Sequence, residues 1–105
     1  MSNELSLQET ANELVVQVIP VISTAHIDHE TAKILDEMGD RNKWCTCAKY
    51  EHGWFLYLEE FSDEGSVPVC LTLIRNWLRV MKRGPWVRLD QAYGTTDELP
   101  VYDWE

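Results

Sequence analysis

The chain has 105 residues and a mass of 12.2 kDa, enough for one domain with a single core. Its 45% hydrophobic residues and five tryptophans argue against disorder, and no apolar run reaches the roughly 18 residues of a transmembrane helix. The formal net charge of −9 repels nucleic-acid phosphates and favours a basic partner. Residues 66–89 hold five bases and no acid, so removing their +5 from −9 leaves −14 on the remainder.

The first elements in the chain are a polar segment, a strand and a helix. Residues 1–12 predict a flexible N-terminal segment, and residues 13–105 a single α+β domain. Leu14–Ile22 is rich in β-branched residues and predicts a strand, which Pro20 interrupts because proline cannot donate to a ladder. Asp28 is a good N-cap and Gly39 a good terminator, so the spacing predicts a helix over 28–39.

A hairpin and a second helix follow. Lys43–Tyr50 and Trp54–Glu60 alternate around a Glu-His-Gly turn, which predicts two antiparallel strands. Apolar residues then recur at helical spacing, with Ser66 as the expected cap and Gly84 as the expected end, so a helix is predicted over 66–83.

The resulting order predicts an α+β fold of the split βαβ (ferredoxin-like) type. After the second helix, Trp86–Asp90 predicts a last strand, and residues 99–104 are apolar enough to dock on the domain. The order β-α-β-β-α-β predicts an antiparallel sheet with two helices on one face. Pro20 conflicts with this topology, because the first strand would lie in the middle of the sheet.

Strand alternation predicts an aromatic face on the side of the sheet that the helices leave open. One assignment buries four side chains, namely Cys45, Cys47, Leu56 and Leu58. It leaves five rings on the open side, namely Trp44, Tyr50, Phe55, Tyr57 and Trp86. Such a face binds RNA bases in some domains. An alternative is that the C-terminal tail covers these rings, and the chain lacks the sequence signature of RNA-recognition domains.

Two small groups of residues suggest chemistry. His26, His29, Cys45 and Cys47 are zinc-type ligands, but a Cys-x-Cys spacing is short and each residue has an ordinary structural explanation. Ser23 and Thr24 precede His26, yet bonding to the local backbone explains them better than a nucleophile does. We therefore expect no metal, no cofactor and no enzymatic activity.

Charged and aromatic side chains form the predicted partner site. Its acids stand in for phosphates, its rings anchor the partner, and its bases are either a docking patch or partners of the domain's own acids. The predicted site consists of Glu59, Glu60, Asp63, Glu64, Asp36, Glu37, Asp40, Trp44, Tyr57, Trp86, Arg75 and Arg79.

Several short stretches resemble a known family. Ile22–Ile27 with the acid-capped helix after it, Gly53–Tyr57, Trp86–Asp90 and the closing Leu99–Trp104 are similar to small uncharacterised proteins of bacterial plasmids, phages and integrated elements. The Cys-Thr-Cys strand and the acidic N-terminal extension depart from that pattern. The resemblance implies no catalytic residue, and it implies a setting in which small acidic proteins block host defence complexes.

The sequence favours a non-enzymatic, acidic protein-binding module that inhibits a host nucleic-acid-binding defence complex, of the anti-CRISPR or anti-restriction type. The partner is expected to present a basic surface, and direct nucleic-acid binding and membrane binding are not expected. The alternatives are a nucleic-acid-binding or regulatory domain that uses the aromatic face, and a small zinc-binding protein. A homodimer, in which the basic helix contacts the acidic surface of a second copy, is compatible with the sequence. Three cysteines and an acidic N-terminus indicate a cytoplasmic location.

Overall fold

The computed structural model describes residues 16–61 and 63–104. Its strands and helices, in chain order, are β1 (Val21–Ile22), α1 (His29–Met38), β2 (Thr46–Tyr50), β3 (Gly53–Tyr57), α2 (Val69–Met81) and β4 (Trp86–Asp90). The predicted flexible segment over residues 1–12 lies outside the described residues, as do the first two residues of the predicted first strand. Neither α1 nor α2 has the length and apolar character needed to cross a membrane.

The α+β class is confirmed, and the predicted ferredoxin-like strand order is not. The strands lie in the order β1-β4-β3-β2, and β1 pairs parallel with β4, so the sheet is mixed. This order resolves the conflict at Pro20. Because β1 lies at the edge of the sheet, the absence of an N–H on Pro20 removes no hydrogen bond from the centre of the sheet. The carbonyl of Pro20 accepts from the Arg88 amide at 2.9 Å. Residues 16–20, predicted as strand, have no regular structure.

The start and end of α1 agree with the prediction. Asp28 takes the N-cap position, where its Oδ1 accepts from the Thr31 amide at 2.7 Å. The helix ends before Gly39, whose φ of 54° is one that glycine adopts readily. The hairpin of β2 and β3 and the strand β4 are also confirmed, with β2 and β3 shorter than predicted.

The helix α2 is shorter at both ends than its prediction over 66–83. Ser66 belongs to a separate 3-10 turn and Pro68 takes the N-cap position without a side-chain bond. At the other end, Lys82 and not Gly84 adopts the left-handed conformation that stops the helix, with a φ of 55°. The Arg83 amide then donates to the Leu78 carbonyl at 3.2 Å, which satisfies one of the last free carbonyls.

One hydrophobic core joins both helices to the same face of the sheet. From α1 it takes Ala32 and Leu35, and from α2 Cys70, Leu71, Ile74 and Leu78. The strands and loops supply Ile22, Cys47, Trp54, Leu56, Leu58, Val87 and Leu89, among others. Within each strand these residues alternate with side chains on the other face. That other face is therefore free of the two helices.

Candidate functional site

The face of the sheet opposite the helices carries the predicted aromatic side chains. Tyr50, Phe55, Tyr57, Trp86 and Arg88 project from β2, β3 and β4 on this side, and we call them the open face. All five are half-buried. Tyr57 and Trp86, which are register partners, form an edge-to-face pair with ring centroids 5.3 Å apart. Of the predicted rings, Trp44 is the exception, because it packs against the core cluster.

The guanidinium of Arg88 lies over the rings at the centre of the open face. Its Cζ is 5.4 Å from the centroid of Tyr50, 6.0 Å from that of Phe55 and 5.3 Å from that of Tyr93. Tyr50 and Phe55 also contact each other, with centroids 5.3 Å apart. The cation therefore occupies part of the surface on which a nucleobase would stack.

Asp90 holds Arg88 in this position. The buried carboxylate accepts from the Tyr50 hydroxyl at 2.5 Å and from the Arg88 guanidinium at 2.9 Å, and its other oxygen accepts from the Ala92 amide at 2.8 Å. The hydrogen bonds from Tyr50 and Arg88 lower the pKa of Asp90 to about 2. The same contacts raise the pKa of Arg88. The charge on both partners is therefore fixed at physiological pH.

Sequence reasoning did not include Arg88, Asp90 and Tyr93 among the site residues. The signal for the first two was present, because alternation from Trp86 places Arg88 and Asp90 on the same side of β4. Tyr93 is half-exposed in an irregular loop, where no periodic pattern indicates its direction.

The C-terminal tail, as far as residue 104 to which the structure describes it, does not cover the open face, so that alternative is wrong. The tail packs at the start of α1. The Tyr102 amide donates to the Ala25 carbonyl at 2.8 Å, and the Trp104 indole donates to the Ile27 carbonyl at 2.9 Å. Trp104 also stacks on the ring of His29, with centroids 5.7 Å apart. The prediction that the tail docks is confirmed, at a place other than the aromatic face.

His26 holds this tail through hydrogen bonds at both of its ring nitrogens, so neither nitrogen is available to a metal or a substrate. The Pro100 carbonyl can only accept, so Nδ1–H donates to it at 2.8 Å. Nε2 in turn accepts from the Thr96 amide at 2.9 Å. Ser23 accepts from the Ala25 amide through its hydroxyl, as the structural interpretation of that residue expected. The Ser23 and His26 side chains are thus both engaged with backbone.

The four candidate zinc ligands are not brought together. Among residues 16–61 and 63–104, no group of three or more His, Cys, Asp or Glu side chains is placed to hold a metal. Burial raises the pKa of the Cys45 thiol to about 12 and that of Cys47 to about 11, so both thiols are protonated at neutral pH. His29 stacks on Trp104.

Several acids of the predicted partner site contact the domain itself. Glu64 accepts two hydrogen bonds from the buried Arg75, and Asp36 pairs with Lys49 at 2.9 Å. Asp40 accepts from the Cys47 amide, and Asp63 from the Gly65 amide. These four therefore have structural roles beside any role in binding.

The remaining members of the predicted site are more available. Glu37 and Glu60 are exposed. Glu59 is exposed too and accepts from the hydroxyl of Tyr57, which places a carboxylate beside the open face. Of the two bases, Arg75 is buried, whereas Arg79 is exposed and donates to the Glu59 carbonyl at 2.9 Å. In the structure, Tyr57, Trp86 and Glu59 thus lie on or beside the open face. The acids at the end of α1 form a separate group.

Comparison with known proteins gives one match. Residues 19–104 match the C-terminal domain of a family of unknown function (DUF5983). The chain belongs to this family. The match spans every strand and helix described above, which agrees with the expectation of an uncharacterised family. Neither the curated proteins nor the solved structures include a match to the chain.

Proposed function

We propose that this member of the DUF5983 family is a non-enzymatic module that binds a protein with a basic surface through its open face. The supporting observation is the cluster of Tyr57, Trp86, Phe55, Tyr50 and Arg88 on a sheet face that neither the helices nor the described tail covers. Tyrosine, tryptophan and arginine are the residues that most often dominate protein interfaces. The net charge of −9 selects for a basic partner.

Single-stranded nucleic acid is the second candidate for the same face, because aromatic rings on a sheet are a known stacking platform. Two features disfavour it. The acidic charge of the chain opposes phosphate binding, and the guanidinium of Arg88 already lies over two rings of this face, Tyr50 and Phe55, and over Tyr93 of the following loop.

We further propose that the partner is a nucleic-acid-binding host defence complex of the anti-CRISPR or anti-restriction type, and that the protein acts in the cytoplasm. The support is the resemblance to small proteins of plasmids, phages and integrated elements, together with the acidic surface. Such a complex has a basic channel for nucleic acid, and clustered carboxylates compete with phosphates for it.

The test is quantitative affinity capture from host lysate with three forms of the protein. The face variant carries Tyr57→Thr and Trp86→Thr, which remove two half-buried rings from the open face and keep residues suited to a strand. The control carries Val69→Ala and Val80→Ala, which remove exposed apolar side chains from α2 instead.

A basic protein captured by the wild type and the control, and lost by the face variant, supports the proposal. Recovery of RNA or DNA in that same pattern would favour the second candidate. Equal capture of the protein by all three forms would show that the open face is not the interface.

A further inference from the structure

A groove with a basic lining lies where β4 begins, next to the end of α2. We call it the basic groove. Its volume is about 340 Å³, which is within the range of ligand sites. One wall consists of residues 16–18 and the other of residues 82–86, so the groove separates the segment before β1 from the start of β4.

The described residues that line the basic groove carry two positive charges and no carboxylate. Lys82 and Arg83 are exposed, and neither side chain forms a salt bridge or a hydrogen bond with another described residue. Glu59 lines the adjacent hollow together with Lys82, but its carboxylate accepts from the Tyr57 hydroxyl. Two cations without a paired acid produce a local positive potential, although the chain has a net charge of −9.

The backbone beside the groove is a strand edge that lacks a neighbour. The Arg88 amide donates to the Pro20 carbonyl at 2.9 Å, so this amide points from β4 towards the segment before β1. Amides alternate in direction along a strand, so the Trp86 amide points to the same side. Of residues 16–20, only Pro20 forms a backbone hydrogen bond with β4, so the two backbones separate beyond this bond. The groove is therefore a gap that a further extended segment can fill.

The walls of the groove also offer apolar surface. Val16 and Val18 are 79% and 59% exposed, and the half-buried ring of Trp86 belongs to the other wall. We propose that the basic groove binds an extended acidic peptide segment of a partner protein. Its carboxylates complement Lys82 and Arg83, and its alternate apolar side chains pack on the valines and on Trp86, as in the addition of a strand to a sheet edge.

The chemistry of the groove favours an acidic peptide over a nucleic acid. The net charge of −9 repels a polymer with a phosphate at every nucleotide, and the valines provide no ring on which bases stack. An acidic peptide has fewer charges and an apolar part that the valines can contact. This site is independent of the partner proposed for the open face, although Trp86 borders both surfaces.

The test is a titration of the full chain, followed by nuclear magnetic resonance, with synthetic pentapeptides blocked at both ends. Val-Glu-Val-Glu-Val has the required charge and strand propensity, Val-Lys-Val-Lys-Val has the same shape and the opposite charge, and inorganic phosphate has charge alone. The acidic peptide is expected to bind saturably in the millimolar range and to shift the Trp86 amide signal. The basic peptide should bind about tenfold more weakly, because repulsion replaces two ion pairs.

The groove variant carries Lys82→Gln and Arg83→Gln, and it should bind the acidic peptide about fivefold more weakly, the effect of losing two exposed ion pairs. The matched control carries Lys33→Gln and Lys43→Gln, which remove two exposed bases outside the groove and should leave binding unchanged. Both variants change the net charge from −9 to −11, because each removes two positive charges.

Four results would overturn the proposal. Equal loss of binding in the two variants would show that net charge alone acts, and equal shifts with phosphate or the basic peptide would show that the groove does not select an acidic peptide. Tighter binding of an oligothymidylate would assign the groove to nucleic acid instead. A wild-type dimer that the groove variant fails to form would assign it to a second copy of the chain. Absence of saturable binding would leave the groove without this ligand.

Discussion

At the scale of single residues, the ion pair between Glu64 and Arg75 is the least expected contact. The Arg75 side chain is only 10% exposed, lies over the ring of Phe61 at 4.7 Å and donates to both oxygens of Glu64. Glu64→Lys should therefore lower the free energy of unfolding by about 2 kcal/mol, between the values for surface and buried pairs. Urea unfolding measures this.

The matched control for that prediction is Glu60→Lys, which makes the same charge change at an exposed position. It should shift the free energy of unfolding by less than about 0.5 kcal/mol. Equal loss in both variants would mean that overall charge, and not the contact with Arg75, determines the effect. The result also bears on function, because any loss of binding in the Glu64 variant must be separated from its lower stability.

Asp90 predicts a specific dependence of stability on pH. Its pKa is lowered from 3.8 to about 2 in the folded protein, so the unfolded state binds the proton more readily. The stabilisation by Asp90 is then fully present above about pH 4 and is lost as the pH falls through about 2. Asp90→Asn should lower the urea midpoint at neutral pH, and the difference from the wild type should shrink between pH 4 and pH 2.

The variant Tyr50→Phe tests how much of the lowered Asp90 pKa is due to the hydroxyl of Tyr50. It keeps the ring and removes the hydroxyl that donates to Asp90, so it should raise the pKa of Asp90 and move the acid-sensitive range upward. Parallel pH profiles for the wild type and Asp90→Asn would contradict the assignment.

At the scale of elements, the contact between β3 and β4 depends on Gly53. A Cβ built at this position would lie 1.8 Å from the Leu89 carbonyl oxygen, which belongs to the backbone and cannot rotate away. Gly53→Ala should therefore lower the free energy of unfolding by about 3 kcal/mol or more, by separating the two strands. Gly94→Ala is the control, because nothing lies within 4 Å of its added Cβ. Similar urea midpoints for the two variants would refute this prediction.

The sequence predicts elements well where local chemistry decides them. Asp28 and Gly39 delimit α1, and alternation over Trp86–Asp90 gives both the strand β4 and its two faces. At the end of α2 the same reasoning fails, because the helix ends at Lys82, in the left-handed conformation, and not at the expected Gly84. The order of the strands cannot be predicted in this way either, because the pairing of β1 with β4 joins residues nearly seventy positions apart.

The candidate site was predictable in part for the same reason. The period of two in their strands places Tyr57 and Trp86 on the same side of the sheet, so the sequence was sufficient to predict their common face. The burial of Arg75 was not, because its partner Glu64 begins a short 3-10 turn whose position relative to α2 no periodic pattern specifies. The docking position of the tail depends on His26, which bonds to residues 70 and 74 positions further along the chain.

At the scale of the whole molecule, the acidic charge should control how quickly a basic partner associates. Charges that steer an encounter act through their sum and are screened over a Debye length of about 8 Å at physiological ionic strength. Glu37 and Glu60 are exposed members of the predicted site, so both can be reversed with little effect on the fold. The double change to Lys alters the net charge from −9 to −5, because each reversal adds two.

This variant should associate several-fold more slowly with the captured partner, while its dissociation rate changes little, because peripheral charges mainly affect association. The Tyr57→Thr and Trp86→Thr variant should show the opposite pattern, with faster dissociation, because buried rings anchor the bound state. Surface plasmon resonance at two ionic strengths separates the two cases, and salt should reduce the association rate of the wild type more than that of the reversed variant. If association is insensitive both to salt and to the reversal, the acidic surface does not steer binding, and apolar contact on the open face must account for recognition by itself.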